Sequence, residues 1–137
     1  RTVIIYQCVK EVENQISVIK LAKDLELPIF EVRYGIEECG ITISDISNHF
    51  KNYQYLIEVL KFQNSAFTNC FLHDYMKETC LDHLFLMGIN ASLCVYDTAV
   101  SALELGFKIS SSPKVIANRS GIETPCDWYK EHCVYYN

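Results

Sequence analysis

In the stretch "EVENQISVIKLAKDLEL", Val12, Ile16, Ile19, Ala22 and Leu25 fall on one helical face, with polar residues between them. That spacing predicts an amphipathic helix stopped by Pro28. Other segments carry strand patterns: "TVIIYQ" (Thr2 to Gln7), "PIFEV" from Pro28, "YQYLIEVLK" (Tyr53 to Lys61), "HLFLMG" (His83 to Gly88) and "FKISSS" (Phe107 to Ser112). "CVYY" is a candidate sixth strand near the end. Between these, Ser44 and Asp45 are placed to cap a short helix through Phe50, and "FTNCFLHDYMKETC" carries a further helix. Val95, Ala99, Ala102 and Leu103 recur at helical spacing, which predicts a helix from Cys94 to Leu105, ended by Gly106. Thr124 and Pro125 start a last helix; "RYGIEECG" and "VIANRSG" read as loops.

Strands alternating with helices imply an α/β fold: a three-layer αβα, Rossmann-like domain around a mainly parallel sheet. Residues 1–137 are expected to form one such domain. In such sheets, ligand sites lie where strands pass into the following loop or helix. Gln7, Lys61 and Cys94 all fall at such strand ends.

Cys94 sits where an apolar strand gives way to a helix. Unpaired backbone N–H groups and the positive end of the helix dipole favour a thiolate there, which suits a nucleophile. A small buried thiol is the other reading of the same position. Asp97, in the first turn of that helix, reads as a partner of the helix dipole.

Half the residues are hydrophobic and 21% are charged, a globular balance. A net charge of −5 without any Lys/Arg cluster argues against a nucleic-acid surface. No apolar run is long enough to span a membrane, and no signal-peptide pattern is present. With Arg1 rather than Met at its start, the sequence leaves room for residues upstream. The seven cysteines are odd in number and lack CxxC pairs, which fits reduced thiols in a cytoplasmic protein better than a zinc site or a disulfide framework. His49, His73, His83 and His132 show no ligand spacing, so no metal and no cofactor is expected.

Two stretches resemble the isochorismatase-like cysteine hydrolases, the family of nicotinamidases and N-carbamoylsarcosine amidases. "LKFQNSAFTN" is similar to the family's strand-end lysine followed by Ser-Ala-Phe, and "GINASLCVYDTAVSALELGFKI" to its cysteine-bearing run. "LAKDLELPIFEV" and "GIEECGITISDI" fit too, the latter most similar to a metal-free subgroup found in eukaryotes. The resemblance spans roughly Thr2 to Ser120. It implies Cys94 as nucleophile and Lys61 as catalytic lysine, acting on a small amide, imidate or enol-ether metabolite through a thioester-type intermediate. It further implies a cis Ile89–Asn90 bond, with the N–H groups of Asn90 and Cys94 forming an oxyanion hole. Gln7, Tyr34, Phe67 and Asn118 are candidate pocket residues; for Asn118, with Arg119, a solvated loop is the alternative. A small-molecule substrate or ligand and a homo-oligomer are the implied partners.

The departure lies in the first strand. The family ends it with Asp-x-Gln, the aspartate being the general base. "IIYQ" puts Ile5 in the aspartate's place and Gln7 in the glutamine's, with the following loop shortened. An isoleucine accepts no proton. Either another group such as Glu11 or Glu58 serves, or the aspartate-bearing segment precedes Arg1, or the reaction has been lost and a binding or structural role remains. The Asp-x-His metal ligands of the nicotinamidase branch have no counterpart after Val32, which disfavours a nicotinamidase.

Overall fold

The computed structural model describes residues 11–35, 42–68, 70–118 and 122–136. The strand predicted at Thr2 to Gln7, including Ile5 and Gln7, lies outside these residues, as does Arg119. Helix α1 (Val12–Asp24) buries Gln15, Ile19 and Ala22, which share the face that the hydrophobic spacing marked. Pro28 then releases the chain into β1 (Ile29–Tyr34), and the short α2 (Ser44–Ser47) follows. Next come β2 (Leu56–Lys61), a single 3-10 turn (Ala66–Thr68), α3 (Cys70–Glu78), β3 (His83–Phe85) and β4 (Gly88–Ile89). The chain ends through α4 (Cys94–Glu104), β5 (Lys108–Ser111), β6 (Ile116–Ala117), α5 (Cys126–His132) and β7 (Val134–Tyr135).

Every strand pairing among the described residues is parallel: β1 with β2, β5 between β3 and β7, and β4 with β6. Parallel pairs need crossovers, and the helices supply them, so the α/β architecture follows from the alternation. The core joins Ile19 and Ala22 of α1, Phe30 and Val32 of β1, Leu72 and Met76 of α3, and Ala99 and Ala102 of α4. Phe30 meets Tyr75 edge-on, with ring centroids 5.5 Å apart.

Three local readings change. The strand expected from Tyr53 starts at Leu56, because Tyr53 is held in a turn by its N–H on the Phe50 carbonyl and its hydroxyl on the Leu27 carbonyl. "HLFLMG" divides into β3 and β4 at Gly88, whose φ of +147° needs a glycine, and β4 turns to pair with Ile116–Ala117, read before as loop. Ser44 is not a cap: it is the first helical residue, Ile43 precedes it, and no side chain caps α2.

Helices α1, α3 and α4 end in one way. A left-handed residue follows each, and its own N–H and the next one turn back onto helical carbonyls, the next being Leu27 on Ala22, Leu81 on Met76 and Phe107 on Ala102. The left-handed residues are Glu26, Cys80 and Gly106, at φ +53°, +56° and +88°. Only the glycine announces itself in sequence. Gly106→Ala is expected to lower stability by ~1–2 kcal/mol, the steric cost of a Cβ in this conformation, read from the urea midpoint. An unchanged midpoint would contradict the left-handed assignment.

Candidate functional site

β1 and β2 run in register, so their last residues, Tyr34 and Lys61, are partners side by side. The link continues one residue on, where Gly35 N–H donates to the Lys61 carbonyl at 2.9 Å. Lys61 is 1% exposed, and its ammonium donates to the Asn64 carbonyl and stands 4.5 Å from the centroid of the Tyr34 ring. Burying an ammonium disfavours its charged form. Burial accordingly pushes Lys61 below the ordinary lysine value, and the charge of Cys94, a side-chain hydrogen bond with Cys94 and the charge of Asp97 pull it partway back.

Cys94 is the first residue of α4 and is buried. The Tyr34 hydroxyl lies 3.3 Å from its sulfur and donates to Asn64 Oδ1 at 2.9 Å, while the thiol reaches the same Oδ1 at 3.8 Å. Tyr34, Lys61, Asn64 and Cys94 therefore form one contact group at the strand ends.

The "NSAF" segment explains how Lys61 is held to α4. Ser65 Oγ donates to Ser101 Oγ at 2.9 Å, Ala66 N–H donates to Thr98 Oγ1 at 2.9 Å, and Thr98 Oγ1 in turn donates to the Cys94 carbonyl at 2.7 Å. Serine and alanine suit this seat because a small residue lets the backbone approach the helix. Phe67 stacks on Phe107, centroids 5.9 Å apart, and packs on the core.

The turn before Cys94 is clamped from the C-terminal part of the chain. Asn118 accepts the Ser92 N–H at 3.0 Å, and its amide donates to Ser92 Oγ and to the Glu123 carbonyl, both at 2.7 Å. The buried Tyr129 hydroxyl donates to the Ala91 carbonyl at 2.7 Å, and Ala91 N–H donates to the Ala117 carbonyl. Asn118 is thus a clamp on the turn, a role its sequence position did not reveal. The Ile89–Asn90 bond is trans, which corrects the cis bond implied by the resemblance; the turn is made instead by Asn90 at φ +66°, a region asparagine enters more readily than most residues. The Asn90 and Cys94 N–H groups have no hydrogen-bond partner among the described residues, whereas those of Ala91, Ser92, Leu93 and Val95 are all used.

Neither glutamate suggested as a substitute base contacts this group among the described residues. Glu58 lies three residues before Lys61, hence on the opposite face of β2, where it pairs with Arg33 at 2.5 Å. Glu11 precedes α1. The carboxylate that acts on Lys61 is Asp97, one turn along α4 from Cys94. Its i, i+3 spacing from Cys94 was the available signal, and the helix-dipole reading passed over it. No group of three or more His, Cys, Asp or Glu side chains is placed to hold a metal ion among the described residues. No helix among them is long and apolar enough to cross a membrane.

A buried lysine and a helix-start cysteine thus meet at the ends of parallel strands. The isochorismatase domain model matches residues 5–111, and the chain belongs to the isochorismatase-like hydrolase family. The fold is similar to that of N-carbamoylsarcosine amidase from Thermoplasma acidophilum, at 17% identity and TM-score 0.83, covering 99% of this chain and 94% of that one. It is similar also to a nicotinamidase from Staphylococcus aureus (17%, TM-score 0.82, 100% and 97% covered) and to an isochorismatase-like hydrolase from Alkaliphilus metalliredigens (13%, TM-score 0.84, 99% and 90%). A search of curated proteins finds no match.

The lowered Lys61 value fixes a sign. The unfolded chain binds the proton more tightly than the folded one, so stability rises with pH between the lowered value and the ordinary one. Lys61→Met is expected to be neutral or stabilising near neutral pH, by up to ~1–4 kcal/mol, with its advantage shrinking as pH approaches 10.5. Denaturant melts across that range check this. A variant clearly less stable at neutral pH would mean that the contacts of the ammonium outweigh its desolvation.

Proposed function

We propose that this chain is a cysteine hydrolase that cleaves a small amide, imidate or enol-ether metabolite, with Cys94 as the nucleophile. The observation that carries this reading is the contact group around Sγ: a helix-start cysteine touching Tyr34, beside the buried Lys61. The similar folds of an N-carbamoylsarcosine amidase and a nicotinamidase support hydrolysis of an amide in particular.

The chemistry runs through these residues. Burial shifts Lys61 in the direction a proton acceptor needs, and in its neutral form Lys61 takes the proton of the Cys94 thiol. The thiolate adds to the carbonyl carbon and a C–S bond forms. The negative charge moves to the carbonyl oxygen, and the N–H groups of Asn90 and Cys94, without a partner among the described residues, are the donors that receive it. Collapse breaks the bond to the leaving group and leaves a thioester on Cys94, which water hydrolyses. The trans Ile89–Asn90 bond is compatible with this role, because the donors are set by the clamped turn.

A second reading is favoured by one observation: Ile5 stands where the family carries its general base. In that reading the thiol is reactive but turnover is impaired, because acid/base help is typically worth ~10²–10⁴ in rate.

Two measurements decide. Iodoacetamide near neutral pH is expected to alkylate Cys94 before Cys70, Cys80, Cys126 and Cys133, the other free thiols among the described residues. A panel of nicotinamide-type and carbamoyl-type amides is expected to give turnover that Cys94→Ala abolishes. Selective alkylation without turnover, with activity appearing only in Ile5→Asp, would establish the impaired reading. Alkylation of Cys94 no faster than the exposed thiols would overturn the nucleophile itself.

A further inference from the structure

We propose that Tyr34 supplies the proton transfers that Ile5 cannot, as the acid for the leaving group and then the base for the hydrolytic water. The proposal rests on the cysteine-hydrolase reading and adds the group that completes it.

Tyr34 is titratable, and its hydroxyl lies 3.3 Å from Cys94 Sγ. A leaving group attached through one carbon to that sulfur falls within hydrogen-bond reach of an oxygen already touching it. Asn64 fixes the direction of the phenol. Its Oδ1 accepts from the Tyr34 hydroxyl at 2.9 Å, which holds the oxygen at the sulfur while the substrate is absent. The backbone adds rigidity, since Tyr34 ends β1 in register with Lys61 and the next N–H bonds to the Lys61 carbonyl.

The same register puts a cation over the ring. Lys61 Nζ is 4.5 Å from the Tyr34 centroid, so once Lys61 holds the thiol proton its positive charge faces the ring whose oxygen is about to become negative. Among the described residues, the charged groups acting on Lys61 are Cys94 and Asp97, both on α4. The balance closes without any outside reagent. The thiol proton goes to Lys61 and the C–S bond forms. As the bond to the leaving group breaks, the Tyr34 proton goes to the leaving atom and the phenol becomes phenolate. The phenolate takes a proton from water, hydroxide adds to the thioester, the C–S bond breaks, and the product acid and the thiolate are released. Tyr34 is again a phenol, and Cys94 recovers its proton from Lys61.

The test pairs p-nitrophenyl acetate, whose p-nitrophenolate leaves without needing a proton, with p-nitroacetanilide, whose departing nitrogen must receive one. Acylation by the ester bypasses Tyr34, whereas acylation by the anilide requires its proton. For Tyr34→Phe we expect a stoichiometric burst of p-nitrophenolate from the ester as in the unaltered protein, and release of p-nitroaniline from the anilide lowered ~10²–10⁴-fold. The burst also reports that the variant is folded and its thiol in place. An unchanged rate on the anilide in Tyr34→Phe would overturn the proposal. Loss of burst and turnover together would also overturn it, making Tyr34 a residue that positions Cys94. A burst in the unaltered protein that survives Cys94→Ala would instead sink the cysteine-hydrolase reading beneath it, and the proposal with it.

Discussion

The burial of one ammonium group organises this structure. Lys61 ends β2 almost wholly shielded from water, and an isolated buried charge is costly unless the fold surrounds it with acceptors and negative charge. The fold does so from three directions. The Asn64 carbonyl accepts from it, the Tyr34 ring lies beneath it, and the first turn of α4 brings Cys94 and Asp97 to it. These arrangements hold only while β1, β2 and α4 keep their relative positions. The parallel register of β1 and β2 and the Ser65–Ser101 and Ala66–Thr98 bonds enforce that.

The turn before Cys94 shows the complementary device. It has few side chains of its own to hold it, so the C-terminal segment supplies the grip. Asn118 reaches Ser92, and Tyr129 reaches the Ala91 carbonyl across a sequence distance that no local pattern spans. Both groups are satisfied, and the buried Tyr129 hydroxyl has its acceptor, so this polar network rigidifies the turn. The result is a turn before Cys94 whose geometry is set from outside it.

Periodic and punctuated features were legible in the sequence. The face of α1, the glycine stop of α4 and the strand-end position of Lys61 follow from spacing and residue type, which are local properties. Features created by contacts distant in sequence were not. The helix ends at Glu26 and Cys80 lack the glycine that would have marked them, and β6 is a two-residue strand that exists only because β4 pairs with it. At the site, Cys94, Lys61 and Tyr34 were each visible. That Tyr34 touches the sulfur, that Phe67 stacks on Phe107 and that Asn118 clamps the turn depend on tertiary placement. Asp97 was visible too, but its relation to Lys61 required knowing which face of α4 meets the end of β2.

The central claim is that Lys61 is buried against Cys94 and held below its ordinary proton affinity. Its most direct test is an NMR titration of the protein with isotopically labelled lysine, the Lys61 signal being identified by its loss in Lys61→Met. The account requires Lys61 to titrate below the ordinary lysine value, and to fall further in Cys94→Ala, where the negative charge and hydrogen bond that pull it up are removed. A Lys61 that titrates at the ordinary value and is indifferent to Cys94→Ala would contradict it.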